Sequence, residues 1–250
     1  MSLSVMVVAF VAACNKNPPP PAAAAPGKHV DSATAGNLTG RVALEGKSPA
    51  VTPIKMGVDP ACLEGNTPNP PSAAVLAGKS GELQNVFVYV KDGLDPAYSF
   101  EMPATPVTLD QKGCIYTPRV LGVRAGQSIE VVNQDTTPHN VHGLPKTNRE
   151  FNTMEPVKGF RITHTFTVPE VMVRFKCDVH GWMAAYVGVM THPFFAVTSP
   201  NGTFEIKGLP PGTYTIEAWH ERFGTRTQQV TIGDRQTQAV SFAFTAQGRP

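Results

Sequence analysis

The chain is poor in charge: Lys, Arg, Asp and Glu make up 16% of its 250 residues and leave a formal net charge of +2. No basic run exceeds a pair, so the footprint of a nucleic-acid-binding surface is missing. Apolar residues at helical spacing are absent from every long window, which excludes a helical bundle. There is no Ser-His-Asp pattern, no glycine-rich phosphate loop after a strand and no His-Glu-x-x-His helix. No catalytic constellation is visible, and the chain reads as a non-enzyme. What it has instead is 24 Pro, 22 Gly and 41% hydrophobic residues. That composition suits a turn-rich β protein, long enough for one large or two small domains.

Long apolar runs are also lacking. The stretch Leu3–Ala13 is uncharged and mostly apolar but too short to span a bilayer as a stable helix. It ends Val11-Ala12-Ala13-Cys14, which resembles the bacterial lipobox, where small residues precede a Cys that becomes lipidated. The reading is a signal over 1–14 with Cys14 as lipid attachment site, placing the chain on the periplasmic face of a bacterial membrane. An ordinary cleaved signal peptide is the alternative. Met1–Val5 holds no Lys or Arg, which points to a start upstream of Met1. Residues 15–36, with Pro18–Pro21 and Ala22–Ala25, read as an extended spacer that cannot build a core.

From Gly36 onward the pattern is short strands between turn signals. Leu38–Leu44, Asn85–Val90, Val107–Tyr116, Arg119–Arg124, Ser128–Asn133, Ile162–Val168, Val171–Lys176 and Tyr186–Met190 read as strands. Residues 57–82 lack periodicity and read mostly as loop. Pro145–Gly159, polar with a single Phe and Met, reads as a loop that could hold a short helix.

Cysteine is scarce, and each of the four has a separate reading. Cys14 belongs to the processing site. Cys62 sits in a Pro/Gly-rich loop and Cys114 at an expected strand start, an even pair in an exported chain, where disulfides persist. Cys177 opens Cys177-Asp178-Val179-His180-Gly181-Trp182-Met183, a thiolate, an imidazole and a thioether within seven residues. Upstream, Thr137-Pro138-His139-Asn140-Val141-His142 follows an apolar strand pattern and supplies a second imidazole. Two His, one Cys and a weak axial Met form the donor set of an electron-transfer copper centre. Structural zinc prefers paired Cys or a harder fourth ligand.

The order and spacing of these residues resemble the cupredoxins of amicyanin and plastocyanin type, over about Pro106–Met190. The resemblance implies a Greek-key sandwich over 106–190 holding one copper per chain at His139, Cys177, His180 and Met183. It also implies that Asn140 supports the Cys loop through hydrogen bonds, although Asn140 is equally readable as a turn residue. His142 is the rival of His139 as first ligand. Trp182, Pro145 and Leu144 are expected to form an apolar collar around an exposed edge of His180.

The tail carries a second resemblance. Asn201-Gly202-Thr203-Phe204-Glu205-Ile206-Lys207-Gly208-Leu209-Pro210-Pro211-Gly212-Thr213-Tyr214-Thr215-Ile216 resembles the carboxypeptidase regulatory-like family, which implies a small, non-catalytic transthyretin-like sandwich. The family's opening strand is matched at Gly40-Arg41-Val42 and Gly46–Pro49. The expected fold is therefore all-β: residues 38–95 and 195–245 form one sandwich with the cupredoxin-like unit 106–190 inserted between them. Two units in tandem is the plainer alternative.

The function expected from these features is a copper-binding periplasmic electron carrier, serving an unknown redox partner protein from a lipid-anchored position. An accessory sandwich module binding protein or carbohydrate, with structural copper or none, is one alternative. A copper chaperone is another, disfavoured because the eight Met are scattered and only Met183 lies at a ligand position. No nucleic-acid partner is expected.

Overall fold

The computed structural model describes residues 27–57, 59–64 and 66–246. The expected signal, Cys14 and most of the spacer lie outside the described residues. Among the described residues, sixteen strands and one short 3-10 turn, Pro60–Leu63, follow one another. The strands are β1 (Gly36–Glu45), β2 (Phe87–Asp92), β3 (Val107–Gln111), β4 (Tyr116–Thr117), β5 (Val120–Arg124) and β6 (Ser128–Asn133). Then come β7 (His139–Leu144), β8 (Phe151–Glu155), β9 (Arg161–Thr165), β10 (Glu170–Lys176) and β11 (Ala184–Met190). The last five are β12 (Phe195–Val197), β13 (Thr203–Leu209), β14 (Gly212–His220), β15 (Gly224–Ile232) and β16 (Thr237–Thr245). Among the described residues no helix is long and apolar enough to cross a membrane.

The strands pair into two sandwiches. In the first, a sheet ordered β13-β1-β16 faces one ordered β12-β2-β14-β15. The cause is period-two alternation, which sends every second side chain inward: Phe204 and Ile206, Tyr214, Ile216 and Ala218, and Val240, Phe242 and Phe244. Leu209-Pro210-Pro211-Gly212 turns the chain between β13 and β14, and Tyr214 Oη donates to the Pro210 carbonyl at 2.6 Å across that turn. In the second sandwich, β5-β11-β10-β7-β8 faces β4-β3-β6-β9 over Leu109, Ile129, Val131, Val141, Phe175 and Val187. The chain thus builds β1 and β2 of the first sandwich, makes the whole second sandwich, and returns to finish the first.

The seam between the sandwiches is built on two glycines. Gly122 of β5 and Gly188 of β11 are register partners, and both lie under the Phe87 ring. A Cβ on Gly188 would meet Phe87 Cζ at 2.4 Å, and one on Gly122 would meet Phe195 Cε2 at 2.3 Å. Only hydrogen fits at either position. Tyr89, Val120, Met190 and Trp219 extend this seam, and the Arg119–Glu221 ion pair closes one end of it.

Several local expectations are corrected. The stretch Val107–Tyr116 is not one strand: Gly113 and Cys114, with φ of 61° and 53°, form a two-residue hairpin turn between β3 and β4. Consecutive positive φ values are the signature of such a turn, and Cys114 is therefore a turn residue rather than a strand start. Pro145–Gly159 is not a plain loop or helix, since β8 lies inside it. This edge strand is mostly exposed, so it shows no apolar alternation, and its pairing comes from β7. Residues 38–95 also divide in their packing. Met56 and Cys62 join the second core, and residues 53–57 and 59–63 lie across one end of the second sandwich.

Candidate metal centre

Three donors converge at that end. His139 is the first residue of β7, and Cys177 follows β10, the strand that pairs with β7. The loop Cys177–Met183 closes on a tight turn, with Met183 N donating to the His180 carbonyl at 2.9 Å. Tyr116 Oη donates to the carbonyls of Asn140 and Lys176, at 2.9 and 3.2 Å, and so clamps β7 to β10 beside the site. His139 Nδ1 and His180 Nδ1 are 3.0 Å apart. Cys177 Sγ lies 3.9 Å from the first and 4.0 Å from the second. All three residues are buried.

The outer nitrogens explain why both Nδ1 atoms face inward. His139 Nε2 meets Asp135 Oδ2 at 2.9 Å, and His180 Nε2 meets Asp59 Oδ2 at 3.0 Å. A carboxylate on the outer nitrogen holds the proton there and leaves the inner nitrogen's lone pair free, the arrangement that orients histidine ligands to metals. Each carboxylate is itself held. Asp135 accepts from the amides of Gly113 and Cys114, at 2.7 and 2.8 Å. Those successive left-handed residues form a nest that favours an anion. Asp59 accepts from Thr137 Oγ1 at 2.7 Å and from the Ala61 amide at 2.9 Å.

The electrostatics follow from these contacts. Burial opposes the Cys177 thiolate, but His139, His180 and two backbone amides outweigh it and bring the thiol down to about 6. Burial likewise disfavours a charged His139, yet its bonds to Asp135 and Cys177 raise it to about 9. The Thr137 hydroxyl leads the groups that hold Asp59 below its ordinary value. In the metal-free chain these shifts favour a Cys177 thiolate beside a protonated His139; the thiolate is the form that binds a soft metal, and a bound ion would take the place of the His139 inner proton.

The remaining expected residues fall as follows. Met183 is buried in the same core as Cys177. Asn140 Oδ1 accepts from the Asp178 amide at 2.6 Å and lies 3.3 Å from Cys177 Sγ, so it ties the Cys loop to β7. His142 is three residues from His139 on one strand, and the pleat turns it to the opposite face. There it contacts Glu150 and Asp178, at 2.7 and 3.0 Å, away from the triangle. Cys62 and Cys114 are joined by a disulfide, which staples residues 59–63 over the site.

The collar expectation is corrected: His180 is only 2% exposed, because Asp59 covers its outer nitrogen. Leu144 lies on β7 opposite Arg174, several residues along the strand from the site. Trp182 does pack on His180, with ring centroids 5.2 Å apart. The two carboxylates were not singled out in the sequence. Asp59-Pro60 is a capping signature, but nothing in the sequence names His180 as its partner.

The residues fit a copper ion. His139, Cys177 and His180 bring one ligand atom each to within 4.8 Å of one another and would together hold the ion. The soft thiolate and paired imidazoles are the donors that copper prefers.

Residues 185–245 match the family model of the carboxypeptidase regulatory-like domain. No curated protein matches the chain. Among solved structures, the Cu-containing nitrite reductase (NirK) from Thermus scotoductus SA-01 is similar at 25% identity and a TM-score of 0.33, covering 39% of this chain. The chain spans only 24% of that reductase's length. A novel purple cupredoxin from Nitrosopumilus maritimus is 21% identical, with a TM-score of 0.30, and covers 34% of this chain and 99% of its own. A mutant amicyanin in its Cu(I) form is also 21% identical, with a TM-score of 0.31, and covers 41% of this chain and 98% of its own.

Proposed function

We propose that the protein is a copper-binding electron carrier with one copper per chain, which His139, Cys177 and His180 would hold with Met183 as a weak fourth donor. The observation that carries this reading is the buried triangle of two Nδ1 atoms and one Sγ, with both outer nitrogens fixed by carboxylates. Copper bound there would supply a one-electron couple. The chain's own residues do the rest. Asp135 and Asp59 hold the two imidazoles in the ligating tautomer, and Asn140 holds the Cys loop against β7. Burial of all three donors keeps water and small substrates away, which suits a carrier without catalytic activity. We further propose export and lipid attachment at Cys14, with an electron-transfer protein as partner on the periplasmic face of the membrane. Cys14→Ala is then expected to release a soluble form or block processing, and unchanged localisation would reject the anchor.

The central test is copper reconstitution followed by an absorption spectrum. An intense visible thiolate-to-copper band with one copper per chain is expected, and Cys177→Ser should abolish it, because a hydroxyl cannot replace the soft thiolate. Met183→Leu should keep the band and raise the reduction potential. A Cys177→Ser variant with the wild-type spectrum would reject the assignment.

A further inference from the structure

We infer that electrons enter and leave the centre through Trp182 rather than through the edge of a histidine ligand. The inference rests on the copper reading above. It starts from what is closed: His139, Cys177, His180 and Met183 are all buried. The outer nitrogen of His180, the atom that an approaching partner would otherwise meet, is taken by Asp59. Asp59 opens the 3-10 turn Pro60–Leu63, which the Cys62–Cys114 disulfide staples in place, so this cover is fixed to the body of the sandwich.

Trp182 provides the opening. It is half-buried rather than enclosed, and its ring packs on His180 at 5.2 Å between centroids. Its Nε1 donates to the Cys114 carbonyl at 3.0 Å, so the stapled turn fixes the indole plane. The ring joins a ligand on one side to solvent on the other. Gly181, just before it, is exposed, and a Cβ there would meet no atom within 4 Å apart from its chain neighbours, so no other segment covers the loop at this point. The surface that meets a redox partner is therefore centred on Gly181 and Trp182. In self-exchange that partner is a second copy of this chain.

The test compares electron self-exchange between the cuprous and cupric forms of wild type, Trp182→Phe and Trp182→Leu. Trp182→Leu is expected to slow exchange about tenfold, within the one to three decades over which association rates vary among variants of one interface. Trp182→Phe, which keeps an aromatic ring on His180, should retain most of the rate. Both variants should keep the visible band, which separates loss of the port from loss of the site.

A second readout needs no copper. In a Trp219→Phe background of the metal-free protein, acrylamide should quench the Trp182 emission, whereas an indole closed to collisional quencher would overturn the inference. A normal band with Trp182→Leu exchanging as fast as wild type would overturn it too. Absence of the band in wild type would instead overturn the copper reading.

Discussion

Replacing Asp135 by Ala should damage stability and metal affinity together, because one carboxylate supports both the hairpin turn and the first histidine. It accepts from the Gly113 amide, the Cys114 amide and His139 Nε2, at 2.7, 2.8 and 2.9 Å. Hydrogen bonds to a charged group contribute about 1.5–3 kcal/mol each. The Asp135 side chain is 10% exposed, so water would re-satisfy part of what is lost. The Cys114 backbone, at φ 53°, would also lose the anion that helps hold it there. We expect a loss of about 3–5 kcal/mol, roughly two such bonds. The measurement is denaturant unfolding of the metal-free, disulfide-intact chain. Copper affinity should fall about 10–100-fold, the usual effect of losing a ligand's orienting partner. Asp135→Asn separates the two roles. Its amide oxygen keeps one acceptor for the turn, but its NH2 facing Nε2 would push the imidazole proton to Nδ1, the ligating atom. That variant should keep much of the stability and lose most of the affinity. A stability change under about 1 kcal/mol for Asp135→Ala, with unchanged affinity, would refute the reasoning.

Three further outcomes are expected. Glu155 is fully buried, with neither carboxylate oxygen hydrogen-bonded among the described residues, and burial raises it from 4.5 to about 7. The folded metal-free chain therefore holds this proton more tightly than the unfolded chain, and stability falls as pH rises between those two values. Glu155→Gln, which stays neutral and can donate to the unpartnered Gln111 Oε1, should be near-neutral at low pH and stabilise by up to about 3 kcal/mol above pH ~8; equal effects at both pH values would contradict this. The Cys62–Cys114 bridge spans 52 residues of sequence and should contribute ~4 kcal/mol in the chain-entropy model. Thiol titration of the denatured, metal-free mature protein should then find only Cys177 reactive. Gly188→Ala drives a methyl into Phe87 and should cost about 1–3 kcal/mol by overpacking, visible as a lower unfolding midpoint, and no change would mean that the seam yields more readily than its geometry suggests.

What could be seen in the sequence divides along a physical line. Strands with one buried face were legible because the alternation is written locally, as in Phe204 and Ile206 or Tyr214 and Ile216. The convergence of His139, Cys177 and His180 was legible because a thiolate and an imidazole three residues apart, with a second imidazole after an upstream strand, are a rare conjunction. β8 was hidden because an exposed edge strand has no apolar face, and its existence depends on β7 lying beside it. Asp59 and Asp135 were hidden for a related reason. An aspartate beside a proline, or in a loop after a strand, has many possible partners, and only tertiary packing chooses one. The Gly113-Cys114 turn was missed because Cys rarely takes a left-handed backbone, and what holds it there is a carboxylate 21 residues further on.

These hidden contacts form a closed frame around the donors. Asp59 joins the stapled turn to His180 and, through Thr137, to the loop that delivers His139. Three residues beyond Asp59, Cys62 is bonded to Cys114, whose amide is bound by Asp135, which in turn holds His139. The two imidazoles are thus braced from outside by one loop of covalent and hydrogen bonds passing through the disulfide. Inside, Asn140 and Tyr116 fix the strands that carry His139 and Cys177. A change of one charge at the centre of such a frame has few soft coordinates into which the donors could relax. A small reorganisation is then expected for the electron transfer proposed above. The same bracing accounts for Asp59 closing the His180 edge: the group that fixes the imidazole's orientation also occupies its outer nitrogen, and the inferred route for electrons through the neighbouring ring of Trp182 starts from that closure.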